Sequence, residues 1–567
     1  MTLLSSGFII LSVKSLSYNP RLALLQLPHK HKYPMSSSLK KSPSSSSVVR
    51  LHEPLLLMGC KTKPLFIFLS LIFFAFFLYY FVSFSVISPP HIAIAFFPAN
   101  ISAPSSINAT ANLSDHVVQE QVNELSLQTR HVFRDYAKLK SDSVLFPDWD
   151  VLAVVSPETP SDSVDGWFCF FSTKENSKAR FSGFLPLTNL TTFKCNMPKR
   201  VRRQRPIFQP VLTKHPDKEE EEESLIREAS ARELIRNNFY VYEALSSETD
   251  VALFGKGVNG RQGFNRPPHE LRCLFGDNGT DTAVRTAVTS SAQEVFRCAQ
   301  PDLTLFPSSN NNPIKVSIEI PNENLILPSV VYYTPRRKTA ETSEKKSLLC
   351  ASTMVYNVGK YLKEWVMYHS RIGVEKFILY DNDSDDDLGT VVQELNEQGF
   401  NVTTFLWLWP KTQEAGFSHN ALYLKDSCKW MMYFDVDEFL FSPSWFKEPQ
   451  PSPHLLQSLL PKNPSVGEVS FQCHDFGPSG QTSHPAGGVT QGYTCYRRVQ
   501  QQRHKSIVLL EAVDESLNNV IHHFGLKTTY KWKQMSSKFA VVNHYKYQAW
   551  SEFKSKFRRR VSAYVVD

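Results

Sequence analysis

No Cys-x-x-Cys pair and no spaced Cys/His quartet occurs in the 567 residues, which excludes the usual ligand spacing of a structural zinc site. No charge falls between Leu65 and Ile87 in "LFIFLSLIFFAFFLYYFVSFSVI". That run exceeds the about 20 apolar helical residues a bilayer core requires, so it is expected to span a membrane. No Lys or Arg follows it until Arg130, whereas Lys30, Lys32, Lys40, Lys41, Arg50, Lys61 and Lys63 precede it with only Glu53 opposing. The positive-inside rule then places the N-terminus in the cytosol and everything after Ile87 in a lumen. No N-x-S/T sequon precedes the run; Asn100, Asn108, Asn112, Asn189, Asn278, Asn382 and Asn401 all follow it. The apolar start "LLSSGFIILSV" lacks a basic n-region and an A-x-A-like site, which excludes a signal peptide of the ordinary kind.

What is present fits that topology. Hydrophobic residues make up 42% and aromatic residues 12% of the chain, ample for several cores. Of nine cysteines, Cys60 lies on the cytosolic side, and the remaining eight form an even set compatible with disulfides in an oxidising compartment. The expected order is a cytosolic tail at 1–64, a membrane helix at 65–87, a glycosylated stem at 88–147, a β-rich region at 148–346 and an α/β domain at 347–567. The true start, Met1 or Met58, is left open, and the uncapped helix pattern "WSEFKSKFRRRVSAYVVD" suggests a truncated C-terminus. In the β-rich region, short runs such as "VLAVVS", "GWFCFFS" and "IKVSIEIP" alternate with Gly, Pro, Asn and Asp, as in a β-sandwich. Cys169, Cys195, Cys273 and Cys298 lie there, with three pairings possible. The basic run Lys199–Arg205 and the acidic run Asp217–Ser224 read as a solvated loop; the alternative is that the basic side attracts an acidic polymer. Nucleic acid is excluded by the lumen.

From Ser347 the pattern becomes strand, helix, strand, helix, strand, helix, strand, the signature of an α/β sheet. "VGKYLKEWVMYHSRIG" places Tyr361, Leu362, Trp365, Val366 and His369 at helical spacing, with Gly373 as a stop. Further helices are expected in "GTVVQELNEQG" and from Ser418, and strands in "FNVTTFLWLW" and "KWMMYFDVDEFLF". Two acidic clusters, "YDNDSDDD" and "YFDVDEF", end strands, where α/β sheets gather ligands. The first is not an EF-hand: counted from Asp381, positions six and twelve are Asp386 and Val392 instead of Gly and Glu. In the second, strand alternation would set Asp435 and Asp437 side by side, each disfavouring the other's ionisation unless a cation lies between them, with Glu438 facing the opposite way.

The segments "VYNVGKYLKEWVMYHSRIGVEKFILYDNDSDDD", "SHNALYLKDSCKWMMYFDVDEF", "SFQCHDFGPSG", "RHKSIV", "HHFGLK" and "NHYKYQAW" resemble glycosyltransferase family 92, and within it the plant β-1,4-galactan synthases. The resemblance covers about residues 150–567. It implies a GT-A, Rossmann-like catalytic domain behind a carbohydrate-binding-like β-sandwich. It also implies UDP-galactose as donor, Mn2+ or another divalent cation, inversion at the anomeric carbon, and β-1,4-galactan side chains of pectin (rhamnogalacturonan I) as acceptor. The setting implied is a single-pass type II protein of the Golgi membrane with its catalytic domain in the lumen. Partners are then a UDP-sugar, a polysaccharide and the membrane, with a homodimer left open. By the same resemblance Asp435, Asp437 and His544 would hold the metal, and Tyr356, Asn357, Asp381, Asn382, Asp383 and Ser384 the nucleotide sugar.

An inverting reaction needs a base within reach of the acceptor hydroxyl. Asp475 in "CHDFGPSG" is the candidate, with a turn or capping carboxylate as the alternative and Glu511 and Asp514 in reserve. His522 and His523 could line the donor site or be ordinary strand residues. Two other readings remain: a catalytically silent, membrane-tethered carbohydrate-binding protein, and a metal-dependent phosphoester hydrolase.

Overall fold

The computed structural model describes residues 138–562 except 159–163, 218, 261–263, 277–282, 307–312, 335–344, 448–449 and 498–502. The tail, the span at 65–87 and nearly all of the stem lie outside the described residues, among which no helix is long and apolar enough to cross a membrane.

From Lys138 to Tyr333 the chain is built mainly of strands. A four-stranded sheet and a five-stranded sheet share a core of Leu139, Val151, Ala153, Phe193 and Leu212, and the Cys169–Cys195 disulfide joins them. An eight-stranded sheet follows, holding Cys273–Cys298. The acidic run is not a loop. It opens a helix, Glu219–Ala229, whose Leu225 and Ala229 are fully buried, and acidic residues suit a helix N-terminus.

The C-terminal domain contains β1 (Ser347–Val355), α1 (Gly359–Ile372), β2 (Lys376–Asp381), α2 (Leu388–Glu397), β3 (Val402–Leu406), α3 (Gln413–Tyr423), β4 (Cys428–Tyr433), β5 (Glu438–Phe441), β6 (Val466–Asp475), β7 (His504–Leu509), β8 (Lys531–Gln534), β9 (Val541–His544) and α4 (Trp550–Ser562). Its nine-stranded mixed sheet runs β3-β2-β1-β4-β7-β6-β9-β5, with β8 beside β6. Strands β1 to β4 are parallel, and β7 is antiparallel to both β4 and β6. Alternate residues feed different cores. Phe377, Leu379 and Met432 pack on one face with Leu362 and Trp365 of α1, whereas Ile378, Tyr380 and Tyr433 pack on the other with Phe417 of α3. Burial on both faces explains why these strands read as continuous apolar runs. The Cys350–Cys428 disulfide ties β1 to β4; among the described residues Cys473 and Cys495 are free thiols.

Three boundaries differ from expectation. Helix α1 ends at Gly373 as its sequence implies, where φ is 125°. However, α3 starts at Gln413, before Ser418, because the Thr412 carbonyl accepts from Gly416 N–H and its hydroxyl accepts from Trp407 Nε1. Strand β3 stops at Leu406, since Trp407 and Trp409 turn into the core of the β-rich region against Tyr240 and Tyr242. The run "KWMMYFDVDEFLF" is two strands, β4 and β5, separated by a turn.

Candidate active site

That turn changes the geometry of the acidic cluster. Asp435 N–H donates to Glu438 Oε2 at 2.9 Å, and Glu438 N–H donates to the Asp435 carbonyl at 3.0 Å. Strand alternation therefore does not apply across 434–437, and Glu438 does not face away: it opens β5, where it pairs directly with His544 of β9. On the other side of β9, His544 pairs with Asp475, the last residue of β6. Sheet register thus sets Glu438, His544 and Asp475 in a row across three strands.

Asp437, Glu438 and His544 each offer a ligand atom, and these atoms lie within 4.8 Å of one another. His544 Nε2 is 3.5 Å from Asp437 Oδ2, and its Nδ1 is 3.8 Å from Glu438 Oε1 and 3.3 Å from Asp475 Oδ1. A set of two carboxylates and one imidazole suits a divalent cation of the Mn2+ or Mg2+ kind. The expected metal set therefore assembles in part. Asp437 and His544 come together, Glu438 joins them, and Asp435 sits to one side, its Oδ2 2.8 Å from Lys505 Nζ.

The charges compensate. Lys505, only 9% exposed in its side chain, also lies 2.8 Å from Glu438 Oε1. Burial would raise Asp435, but Lys505 and His522 outweigh it and hold the carboxyl down at about 2. Asp437 is likewise pushed well below the carboxylate range, because Lys556 and His544 overcome its burial. Burial dominates at Glu438 and pushes it up to about 7. Burial lowers His544, yet Asp437, Asp475 and Glu438 together raise it to about 9. Lys556 reaches Asp437 from α4, which is pinned to α1 by Glu552 through Lys360 and the Tyr361 hydroxyl.

Asp475, expected as the base, has a fully buried side chain between His544, whose Nδ1 is 3.3 Å from its Oδ1, and Lys546, whose Nζ is 3.4 Å from its Oδ2. Lys505 and Lys556 escaped the sequence reading, although a lysine inside the apolar strand "HKSIVL" is a signal of a buried partner.

The expected nucleotide residues cluster at the ends of β1 and β2, one strand over from the turn. Val355 pairs with Asp381, and Ser352 pairs with Tyr433. Tyr356 is 39% exposed. Asp381 Oδ1 accepts from Ser384 N–H at 2.9 Å, and Asn357 N–H donates to Ser384 Oγ at 3.0 Å. Three of the six are engaged by other residues: Asn357 Nδ2 donates to Asp385 Oδ1 at 2.5 Å, and its Oδ1 accepts from Asp385 N–H at 2.9 Å. Asn382 Nδ2 donates to the Trp407 carbonyl at 2.6 Å, and Asp383 Oδ2 pairs with Lys194 at 2.5 Å and Arg180 at 2.9 Å of the β-rich region. These contacts hold the fold, and Tyr356, Asp381 and Ser384 also lie at the strand ends.

Known proteins resemble this segment. Residues 345–566 match glycosyltransferase family 92. A glycosyltransferase family 92 protein of Ricinus communis is 42% identical over 345 residues, covering 58% of this chain and 59% of its own. The chain thus spans about three fifths of the length of the curated relatives it matches. A galactan beta-1,4-galactosyltransferase of Arabidopsis thaliana is 28% identical over 128 residues, 20% of this chain and 25% of that one. Among solved structures, a mannosyltransferase of Pyrobaculum calidifontis in complex with GDP-Man and Mn2+ aligns over 24% of this chain and 39% of its own. Its identity is 14% and its TM-score 0.17, too low to carry an argument. By the family match and the identity to these relatives, residues 345–566 resemble glycosyltransferase family 92.

Proposed function

We propose that the protein is an inverting galactosyltransferase of GT-A type, anchored in the Golgi membrane, that moves galactose from UDP-galactose to β-1,4-galactan side chains of pectin. The observation that carries the transferase reading is the Asp437, Glu438 and His544 group, at the turn after β4, the start of β5 and the end of β9, inside the segment that matches family 92. The partial likeness to a galactan galactosyltransferase supports the donor and acceptor, and the charge asymmetry around residues 65–87 supports the topology.

In this reading Tyr356 and Asp381 would hold the nucleoside at the ends of β1 and β2, and Asp437, Glu438 and His544 would hold the divalent ion. When bound, that ion supplies positive charge against the diphosphate as the glycosidic bond breaks. Asp475 fixes the His544 ring, and Lys505 keeps Asp435 and Glu438 from repelling each other. The acceptor oxygen bonds to the anomeric carbon, UDP leaves with the electron pair of the broken bond, and the hydroxyl proton passes to a base on the acceptor side. Incubation of the purified full-length chain with radiolabelled UDP-galactose, Mn2+ and a β-1,4-galacto-oligosaccharide tests this. Lengthened, labelled oligosaccharide is expected; release of free phosphate without sugar transfer would favour a hydrolase.

A further inference from the structure

Near the acidic cluster, on β6, the start of β7 and the segment that holds His523, lies a second group of ionisable residues that the reaction described above does not use. Glu468 of β6 is 3% exposed. One of its carboxylate oxygens meets His523 Nδ1, and the other accepts from Phe524 N–H at 3.1 Å. His523 Nε2 in turn meets Nδ1 of His504, an exposed residue at the start of β7. Carboxylate, imidazole and imidazole thus form a chain from the interior to the surface. Its polarity follows from hydrogen-bond supply. The carboxylate only accepts, so His523 Nδ1 carries a proton; a neutral His523 then has its lone pair at Nε2, so His504 donates from Nδ1. The outer nitrogen of His504 is left with a lone pair.

All three residues line a cavity of about 680 Å3, a size typical of small-ligand sites. Across it stands Trp532 of β8, 65% exposed on a strand whose four residues are all exposed. Sheet register pairs Trp532 with Glu468, which puts the indole on the same face as the carboxylate. Gln534 and Ser470 also line the cavity and pair with each other. An aromatic face beside fixed hydrogen-bonding groups is the chemistry that binds a pyranose ring, whose C–H face stacks on the indole while its hydroxyls meet the polar groups.

We propose that this cavity is a saccharide-binding site, with Trp532 as the stacking platform and His504 as the acceptor of a hydroxyl hydrogen bond. The site adjoins the acidic cluster through two pairs of neighbours: His504 precedes Lys505, which holds Asp435, and His523 follows His522, which contacts Lys505. That the bound sugar is the acceptor rests on the transferase reading above; that a sugar binds does not.

The experiment is a calorimetric titration of the detergent-solubilised full-length chain with β-1,4-galactotetraose and with cellotetraose, in the absence of nucleotide and metal. At least one tetrasaccharide binds, Trp532→Ala weakens that binding on the order of tenfold, and His504→Ala weakens it while His504→Gln, which retains an acceptor, does so less. Binding of UDP with Mn2+ stays at the parent level in all three variants. Trp532 is exposed, and an unchanged unfolding midpoint confirms that each variant is folded. No binding of either tetrasaccharide, or binding indifferent to Trp532→Ala, overturns the proposal. Loss of the donor reading looks different, since UDP with Mn2+ would then fail to bind while the tetrasaccharide still does.

Discussion

Lys556 of α4 forms an ion pair with Asp437, the carboxylate that stands between His544 and the turn after β4. An ammonium and a divalent cation cannot occupy the same carboxylate oxygen, so in the proposed reading the helix carries a cation that would compete with the metal. Lys556→Met is expected to tighten Mn2+ binding severalfold in an electron paramagnetic resonance titration. An unchanged or weaker affinity would show that Lys556 does not compete.

The three acidic residues of the turn are expected to separate by phenotype. If the proposed metal site is right, Asp437→Asn and Glu438→Gln each remove a ligand and should lower transfer more than about a hundredfold, the loss of several kcal/mol of leaving-group stabilisation. Asp435→Asn leaves the group of three intact but deprives the nearly buried Lys505 of one partner. It should lower the unfolding midpoint while retaining Mn2+ affinity. Equal loss of metal binding in all three variants would return Asp435 to the metal set.

Asp383 and Tyr356 offer a contrast within the nucleotide region. Asp383 is bound to Lys194 and Arg180, both in the β-rich region. Asp383→Asn should therefore destabilise the fold, by roughly 1–3 kcal/mol for weakened hydrogen bonds to charged groups, and leave the KM for the donor unchanged. Tyr356→Ala should raise that KM with little effect on stability. The reverse pattern in denaturation and kinetics would reassign both residues.

Glu243 of the β-rich region is fully buried beneath Trp409, whose Nε1 donates to it at 3.4 Å. Burial raises its pKa from 4.5 to about 7. A raised folded-state value means the group's stabilising contribution is complete below the unfolded pKa and is lost as pH rises toward 7. Relative to Glu243→Gln, the parent protein should lose roughly 2–3 kcal/mol between pH 5 and pH 8. Parallel stability curves for the two proteins would contradict this.

The sheet was legible because β1 to β4 are buried on both faces and alternate with helices of clear periodicity, as at Leu362, Trp365 and Val366. The pairing of Cys169 with Cys195 was one of three that the sequence allowed. The turn at Asp435–Glu438 was not legible, since an unbroken apolar and acidic run does not reveal that two of its own residues bond to each other. Helix α3 and the end of β3 depend on Trp407 and Trp409 packing against Tyr240 and Tyr242, contacts far apart in sequence. The same distance hid the site's electrostatics: Lys505 meets Asp435, and His523 meets Glu468, across 70 and 55 positions of sequence. Asp475 was singled out by residue type and motif, but its burial beside His544 depends on strand pairing that the motif does not reveal.

The most direct test of the transferase reading is galactose incorporation into a β-1,4-galacto-oligosaccharide from UDP-galactose, measured with added Mn2+ and with a chelator, for the parent chain, Asp437→Asn and Asp383→Asn. Incorporation should require the metal, fall more than about a hundredfold in Asp437→Asn, and persist in the folded fraction of Asp383→Asn. Incorporation at near-parent rates by Asp437→Asn, or undiminished incorporation with the chelator, would contradict the assignment of Asp437, Glu438 and His544 as the metal-holding centre.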